Sequence, residues 1–544
     1  MEAVLKKDRL IDLEITGITQ EGSGVGRFNG MVVFVPMTAI GDRLKVRVIK
    51  VLKNHAQGVV EEIVTPAGSR AKNHCPEYNH CGGCSLRHIS YSEECAVKEN
   101  WLRENMSRIG HLQPEYDPMT PAVSSERYRN KVQYSVARID GEICTGFYAK
   151  NSHDLIPIWD CALQPEIFAE IAVLFRAFLD EKGIDPYDEV SETGLVRSLY
   201  LRVSAATGGI MVCIVINGDR LPAERELVSR MIEAFSQIET IVLNINRRRD
   251  SVVLDLRERV LYGNGTISDM LAGVGVSLSP QSFYQVNHAG AELLYKKVLE
   301  YAAPKKTDVL LDLYCGAGAI GLAMARYVNR VIGVEIVEDA VADARANAAR
   351  NTITNAEFLC ADAAKAVLLL EEKKISPDMV VLDPPRKGVA PETLRCIGRM
   401  NPERIVYVSC NSATLARDCA LLSELGYETV RAGAVDLFPR TAHCETVVLL
   451  SKLKSATSIE VKIDLNEMDL TKSESKATYD KIKAYVLEQT GLKVSQLYIA
   501  QVKRKHGIIE RENYNTGEGK AKTPQVPLEN EKAIEDALRH FQMI

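Results

Sequence analysis

The stretch Asp312-Leu-Tyr-Cys-Gly316-Ala-Gly318-Ala-Ile-Gly321 decides the fold. It ends the apolar run VLLDLYC and opens a helical pattern, so its glycines fall at a strand-to-helix turn. Glycine there lets the backbone bend sharply and pass close to a ligand. Glu335 closes the next apolar run, RVIGVEI, about 20 residues on, where a carboxylate accepts hydrogen bonds from ribose hydroxyls. These residues alone fit a nicotinamide enzyme as well as a methyltransferase, and a plain strand-to-helix turn is a third reading.

Working outward, AEFLCAD, MVVLDPP and RIVYVSC are further short apolar runs separated by helical stretches. The alternation from about residue 290 predicts an α/β, doubly wound, Rossmann-like parallel sheet. Two of its strand ends separate the enzyme readings. Val381-Leu-Asp383-Pro384-Pro385-Arg386-Lys387-Gly388 ends a strand with an acid and two prolines that lack N–H donors. The next run ends in Val408-Ser409-Cys410-Asn411. Ligands bind at the carboxyl ends of such strands, so Cys410 is expected at the mouth of the crevice beside the cofactor. A thiolate there can add to carbon 6 of a uracil, making carbon 5 nucleophilic toward a methyl sulfonium. A base must then remove the carbon 5 proton. Glu445, in Thr441-Ala-His443-Cys444-Glu445, is the candidate base and His443 the alternative. Cys410 also has a packing reading, and Cys315, Cys360 and Cys444 are expected to pack.

Toward the N-terminus, LIDLEITGI, GMVVFVP, DRLKVRVIKV and HAQGVVEEIV read as strands of a small barrel, with Gly22-Ser23-Gly24-Val25-Gly26-Arg27 as a polar loop. Cys75-x5-Cys81-Gly-Gly-Cys84 has a metal-ligand spacing that permits zinc or an iron–sulfur centre. His74, His80, His88 and Cys95 are local candidates for a fourth ligand, and Cys161 a remote one. Arg127-Tyr128-Arg129-Asn130-Lys131 suits phosphate contact with base stacking, and Arg247-Arg248-Arg249 is a second basic patch. Each has a solvated-surface reading too. PEIFAEIAVLFRAFLDEKG predicts an amphipathic helix ended by Gly183. After Lys454 the sequence turns polar, then helical in KATYDKIKAYVLEQTG and EKAIEDALRHF, with a basic stretch from Gln501 to Gly507.

The 544 residues allow about three or four domains. With 46% hydrophobic and 26% charged residues the composition is that of a soluble globular protein. A net charge of -5 excludes a uniformly basic coat but not local basic patches. No apolar run approaches the roughly 20 residues needed to span a bilayer. MEAVLKKDRLIDLE has no apolar core of a secretory signal, so a cytoplasmic location is expected, and 13 cysteines there are not a disulfide framework.

With these residues together, LYCGAGAIGL, LDPPRKG, SCN and HCETVVLL resemble the RNA uracil-5-methyltransferase family, in particular its bacterial 23S ribosomal RNA branch. The likeness runs from near residue 8 to about 453. It implies methylation of uridine C5 with Cys410 as nucleophile and Glu445 as base. S-adenosylmethionine (SAM) is then bound through Gln285 of Ser282-Phe283-Tyr284-Gln285-Val286-Asn287, Tyr314, Glu335 and Asp383. It further implies a 4Fe-4S cluster on Cys75, Cys81, Cys84 and Cys161. Ser412 departs from the family, where many relatives carry proline.

The barrel resembles the TRAM module, which implies RNA as the partner. Barrel and cysteine cluster together resemble the ribosomal branch, so ribosomal RNA is expected before transfer RNA, and no membrane partner and a monomeric enzyme are expected. The resulting organisation is a TRAM-like barrel (1–66), a central RNA-binding domain with the cluster (67–280), the methyltransferase domain (281–455), a linker (456–471) and a helical, partly basic module (472–544). Phe283 and Tyr284 are candidates to hold a flipped base or to pack in the core. A transfer RNA methyltransferase and a non-catalytic RNA-binding or RNA-folding protein are the alternatives.

Overall fold

Strict alternation in Leu10–Ile18 turns Ile11, Leu13 and Ile15 inward, and the same period in Arg43–Val51 buries Leu44, Val46 and Val48. These strands close a barrel with Ser23–Phe28, Met31–Pro36 and His55–Thr65. The computed structural model describes residues 5–150, 152–250, 252–453, 479–506, 526–541 and 543–544. The stretch after Gly22, expected as a loop, is the barrel strand Ser23–Phe28, paired on both sides. Its glycines are there for close packing. A Cβ on Gly24 would lie 1.9 Å from Thr38 Oγ1, and one on Gly26 would lie 2.6 Å from the Leu13 side chain.

A central sheet has the order Glu258–Tyr262, Ile238–Ile245, Ile210–Ile216, Val196–Val203, Lys131–Ile139, Glu142–Tyr148 and Leu155–Pro157. The helices Glu166–Glu181 and Glu224–Ala234 share a core with it. Phe168, Phe175 and Phe178 of the first helix are fully buried, worth about 2–3 kcal/mol each. Tyr200, Met211, Cys213 and Val242 of this sheet belong instead to a core shared with the hairpin Ile267–Leu271/Val274–Leu278 and the catalytic sheet.

The catalytic sheet has the order Ala356–Cys360, Arg330–Glu335, Val309–Leu313, Met379–Leu382, Arg404–Ser409, Glu445–Lys452, Tyr427–Val435 and Glu115–Tyr116. The run from Ala356–Cys360 to Arg404–Ser409 is parallel, and Glu445–Lys452 is antiparallel to both its neighbours. The strand order reverses between Val309–Leu313 and Met379–Leu382, which is where a doubly wound sheet opens a ligand crevice. Residues 91–120, read from the sequence as part of the central region, pack on this sheet. Leu102 and Met106 of the helix Tyr91–Arg108 join its core, and Glu115–Tyr116 forms its edge.

The chain divides into two compact units, Met1–Lys454 and Ser455–Ile544. The second contains the helices Tyr479–Thr490, Gln496–Lys505 and Leu528–His540, with their own core of Ile482, Val486, Ile499, Val502, Ile534 and Leu538. In its basic stretch Lys503 is buried, Lys505 pairs with Glu531 and His506 with Glu535, so part of that charge serves the bundle itself. The expected linker 456–471 and Gly507 lie outside the described residues. No helix among the described residues is long and apolar enough to cross a membrane.

Candidate active site and cysteine cavity

The glycine-rich turn is built as its sequence requires. Gly316 (φ 54°) and Gly318 (φ 80°) are left-handed, and Tyr314 shares that region at φ 65°, a costly conformation for a side chain and one that gathers at functional sites. A Cβ on Gly318 would lie 2.9 Å from the Phe358 ring. Asp312 is buried at the strand end and its Oδ2 accepts from Gly321 N (2.9 Å), while its Oδ1 is buried with no protein partner. Burial, with Asp383 and Glu335 nearby, pushes the Asp312 carboxyl up to about 7. The Glu335 carboxylate accepts from Gly316 N (3.1 Å) and from Ile336 N and Val337 N (2.8 and 3.0 Å), bracing the turn.

Asp383 follows the neighbouring strand, and burial pushes it up to about 7. Gln285 is half-buried, and its carbonyl accepts from Asn130 Nδ2 (2.9 Å). Asn287 ends the same loop and caps the helix His288–Ala302, accepting from Gly290 N. An orphaned buried carboxylate oxygen, a left-handed aromatic and acids at adjacent strand ends suit a cationic, hydroxyl-rich ligand such as SAM. Of the paired aromatics, Phe283 is exposed, whereas Tyr284 is buried in the core beside His288.

Cys410 and Glu445 meet through sheet register. Ser409 pairs with Thr446, so the residues just beyond and just before them lie side by side. The Cys410 thiol is raised by burial first, then by Glu445, while Arg386 lowers it. Glu445 is buried and is pushed up to about 8 by burial and by Asp383, with Arg386 opposing. Cys410 opens on a cleft of ≈ 170 Å³ whose walls include Gln20, Glu21, Arg386, Asn411 and His443. Glu445 is not in those walls; its charged neighbours are Asp383 and Arg386. His443 Nε2 lies 3.5 Å from an Arg386 nitrogen, and the partial burial of the ring at the cleft wall, with Arg386, lowers its pKa and favours the neutral form.

Arg386, Asp312 and the barrel residues Gln20 and Glu21 were not singled out from sequence. The acid opening the glycine motif and the arginine after Pro-Pro were visible in the quoted stretches. Nothing local marks the barrel turn. Among the cysteines expected to pack, Cys444 is buried and Cys315 half-buried, but Cys360 is exposed, because it ends an edge strand.

Cys75, Cys81, Cys84 and Cys161 line one cavity of ≈ 360 Å³ with Arg87, Arg129, Lys131 and Trp159. Among the described residues no three His, Cys, Asp or Glu side chains converge on a point that would hold a single ion. Cations outnumber acids in the cavity wall, with Arg87, Arg129 and Lys131 against Glu77 and Asp160; the Nε atoms of Arg87 and Arg129 are buried without a protein partner, and the charges beside Lys131 are Arg202 and Arg129. Such a wall fits an anionic, thiolate-held group. His88 is spent elsewhere, bonded to Tyr78 and to the Thr38 carbonyl, and Cys95 neighbours Tyr91 and Asp436.

The first basic stretch turns inward, and the second stays on the surface. Arg127 binds Asp160 and the carbonyls of Cys161 and Gln164, and Tyr128 Oη donates to Pro439 O (2.9 Å). This stretch braces the cavity and the loop before Glu445, which leaves the phosphate role expected for it without support. Arg247, Arg248 and Arg249 pair with Asp219, Asp250 and Glu192, the solvated-surface alternative.

Residues 276–453 match the family model described as tRNA (Uracil-5-)-methyltransferase, and residues 8–60 match the TRAM domain. The chain is 37% identical over 447 residues to an uncharacterized RNA methyltransferase of Clostridium tetani, covering 82% of this chain and 97% of that protein. It is also 37% identical over 452 residues to one of Listeria innocua, covering 83% and 100%. Its fold is similar to that of the Pyrococcus abyssi tRNA (uracil-54, C5)-methyltransferase in complex with S-adenosyl-L-homocysteine. The TM-score is 0.65 at 26% identity, covering 81% of this chain and 100% of that one. Barrel, glycine-rich crevice and thiol-bearing strand end are thus those of a SAM-dependent RNA methyltransferase, and the chain belongs to the RNA uracil-5-methyltransferase family.

Proposed function

We propose that this protein methylates carbon 5 of a uridine in 23S ribosomal RNA, giving 5-methyluridine, as a cytoplasmic monomer. The observation that carries the reading is the Ser409–Thr446 register, which sets Cys410 beside Glu445 at the cofactor end of the sheet. Cys410 Sγ adds as thiolate to C6 of the flipped uracil, and Arg386 faces the negative charge that develops on the ring. SAM, held by Gln285, Tyr314, Glu335 and Asp383, supplies an electrophilic methyl group to C5. Glu445 then takes the C5 proton, and the C5–H electron pair restores the C5–C6 double bond as the Cys410 thiolate leaves. Phe283, exposed on the cofactor loop, is available to stack on the base.

The cysteine cavity fits a 4Fe-4S cluster held by Cys75, Cys81, Cys84 and Cys161 better than one zinc ion, because the four cysteines line a cavity of ≈ 360 Å³ that Arg87, Arg129 and Lys131 also border. When bound, the cluster supplies a cross-link between the Cys75–Cys84 loop and Cys161. Ser85 N and Leu86 N both donate to Arg440 O (2.9 and 3.1 Å), so that loop also buttresses the segment leading to Glu445.

The ribosomal choice rests on the barrel and the four cysteines together. A transfer RNA substrate is the second reading, favoured by the Pyrococcus neighbour, whose substrate is a tRNA. Labelled SAM with unmodified 23S RNA or unmodified tRNA, followed by digestion, separates them. 5-Methyluridine in 23S RNA is expected; label in tRNA alone selects the second reading, and no 5-methyluridine in either refutes both.

A further inference from the structure

The turn between the first two barrel strands is a wall of the catalytic cleft. Gln20 and Glu21 line the cleft with Cys410, though Gln20 and Ser412 lie 392 residues apart in sequence. The turn is held firmly. Trp101 Nε1 donates to Ile18 O (2.7 Å), and Gly22 (φ 81°) sits so close to the cysteine loop that a Cβ would lie 2.9 Å from Ser85 Cβ.

Ser412 is the first residue of the helix Ser412–Glu424, whose cap is Asn411 and whose preceding residue is Cys410. It is buried, and its Oγ accepts from Gln20 Nε2 (2.7 Å) and from Asn105 Nδ2 (2.8 Å). The partial positive charge of this helix end favours an anion beside it, here the thiolate of Cys410. Where the first turn sits therefore governs both the aim of the sulfur and how readily it ionises.

We propose that Gln20 is a positioning residue for Cys410: its hydrogen bond to Ser412 fixes the first turn of the nucleophile's helix against the barrel, so the seating of the barrel sets the reactivity of the thiol. The inference rests on Cys410 as the nucleophile, and it assigns the barrel a part in assembling the active site beyond RNA contact. Asn105 holds the same atom from the helix Tyr91–Arg108. Proline at a first helical position fixes φ and sacrifices only an N–H without a helical partner, and the extended backbone of Asn411 (φ -135°, ψ 99°) accepts a following proline. Ser412→Pro therefore removes the acceptor of the Gln20 hydrogen bond while fixing the backbone of the first turn locally.

The test is the rate of iodoacetamide alkylation of Cys410 in the full chain. It is followed by mass spectrometry of the Cys410 peptide across pH 6–10, alongside kcat and KM. Gln20→Ala is expected to slow alkylation at neutral pH about fivefold, move its pH profile to higher pH, and lower kcat with KM for SAM unchanged. In the Ser412→Pro background, Gln20→Ala should change neither the alkylation profile nor kcat. Merely structural damage lowers the melting temperature and the active fraction and leaves the alkylation profile in place. An unchanged Cys410 profile in Gln20→Ala, or an equal effect of Gln20→Ala in both backgrounds, overturns the proposal. Alkylation needs no RNA, so a shifted profile in a protein that methylates neither RNA sinks the proposed function while leaving intact the link between Gln20 and the reactivity of the Cys410 thiol.

Discussion

The molecule holds two sulfur sites with different charged neighbours. In the cavity, Cys75, Cys81, Cys84 and Cys161 are walled by Arg87, Arg129 and Lys131. At the cleft, Cys410 lies beside Glu445 and Asp383 with Arg386 as the opposing charge. Arginine and lysine beside a set of cysteines suit thiolates gathered in a charged group. Acidic neighbours keep a thiol protonated until a substrate and a helix end favour its ionised form. The lesson is that cysteines of one chain meet different neighbours, which sequence spacing alone does not reveal.

The sharpest way to break this comparison is Cys410→Ala. If Cys410 is the reacting sulfur, methylation falls by about 10⁴-fold or more and no enzyme–RNA adduct survives denaturing electrophoresis. Retained 5-methyluridine formation would move the chemistry elsewhere. Glu445→Gln should follow at about 10²–10⁴-fold, with a different signature. Methyl transfer still occurs but the C5 proton stays, so a methylated covalent adduct accumulates with SAM present. Adduct accumulation in a His443→Gln variant instead would transfer the role to the imidazole that lines the cleft.

The pH profile comes next. Glu445 acts as a base only when ionised, and with its carboxyl pushed up to about 8 it is mostly neutral at pH 7. Cys410 is displaced in the same direction and is likewise active when deprotonated. kcat/KM should therefore climb by more than about tenfold per pH unit from 6 toward 8 and keep rising above it, less steeply, as the Cys410 thiol ionises. Because Arg386 lowers both groups, Arg386→Gln should move the rise to higher pH. A profile falling with pH would refute the assignment. The smallest effect on catalysis belongs to Cys161→Ser. It should remove iron and acid-labile sulfide from anaerobically purified protein and lower the melting temperature by about 5 °C, while the alkylation rate of Cys410 changes little. One zinc per chain in the unmutated protein would defeat the cluster reading.

Much of the fold was legible because its signals are local. The apolar runs around Leu311, Ile332, Val380 and Val406 predict the parallel sheet, and the glycines of 316–321 mark its turn. The strand Ser23–Phe28 was not legible, because glycine in a strand reads as a loop until the opposing side chains Thr38 and Leu13 explain its absent Cβ. Likewise, Arg127-Tyr128-Arg129 reads as a nucleic-acid patch, whereas its partners Asp160, the Gln164 carbonyl and the Pro439 carbonyl are remote in sequence. Charge tells a reader that a partner exists, not whether that partner is solvent, RNA or the protein itself.

The sequence by itself determined the sheet, its glycine-rich crevice and the chemical types at the strand ends: a thiol at 410, carboxyls at 383 and 445. Those follow from short-range periodicity and from the chemistry each side chain carries. Only the tertiary structure decided what those groups feel and touch. Burial raises Glu445 to about 8. Antiparallel register brings Cys410 beside it. A hydrogen bond from Gln20 ties the helix that follows Cys410 to the barrel. Desolvation and long-range contacts depend on what the fold brings around a residue, which no stretch of neighbouring sequence contains.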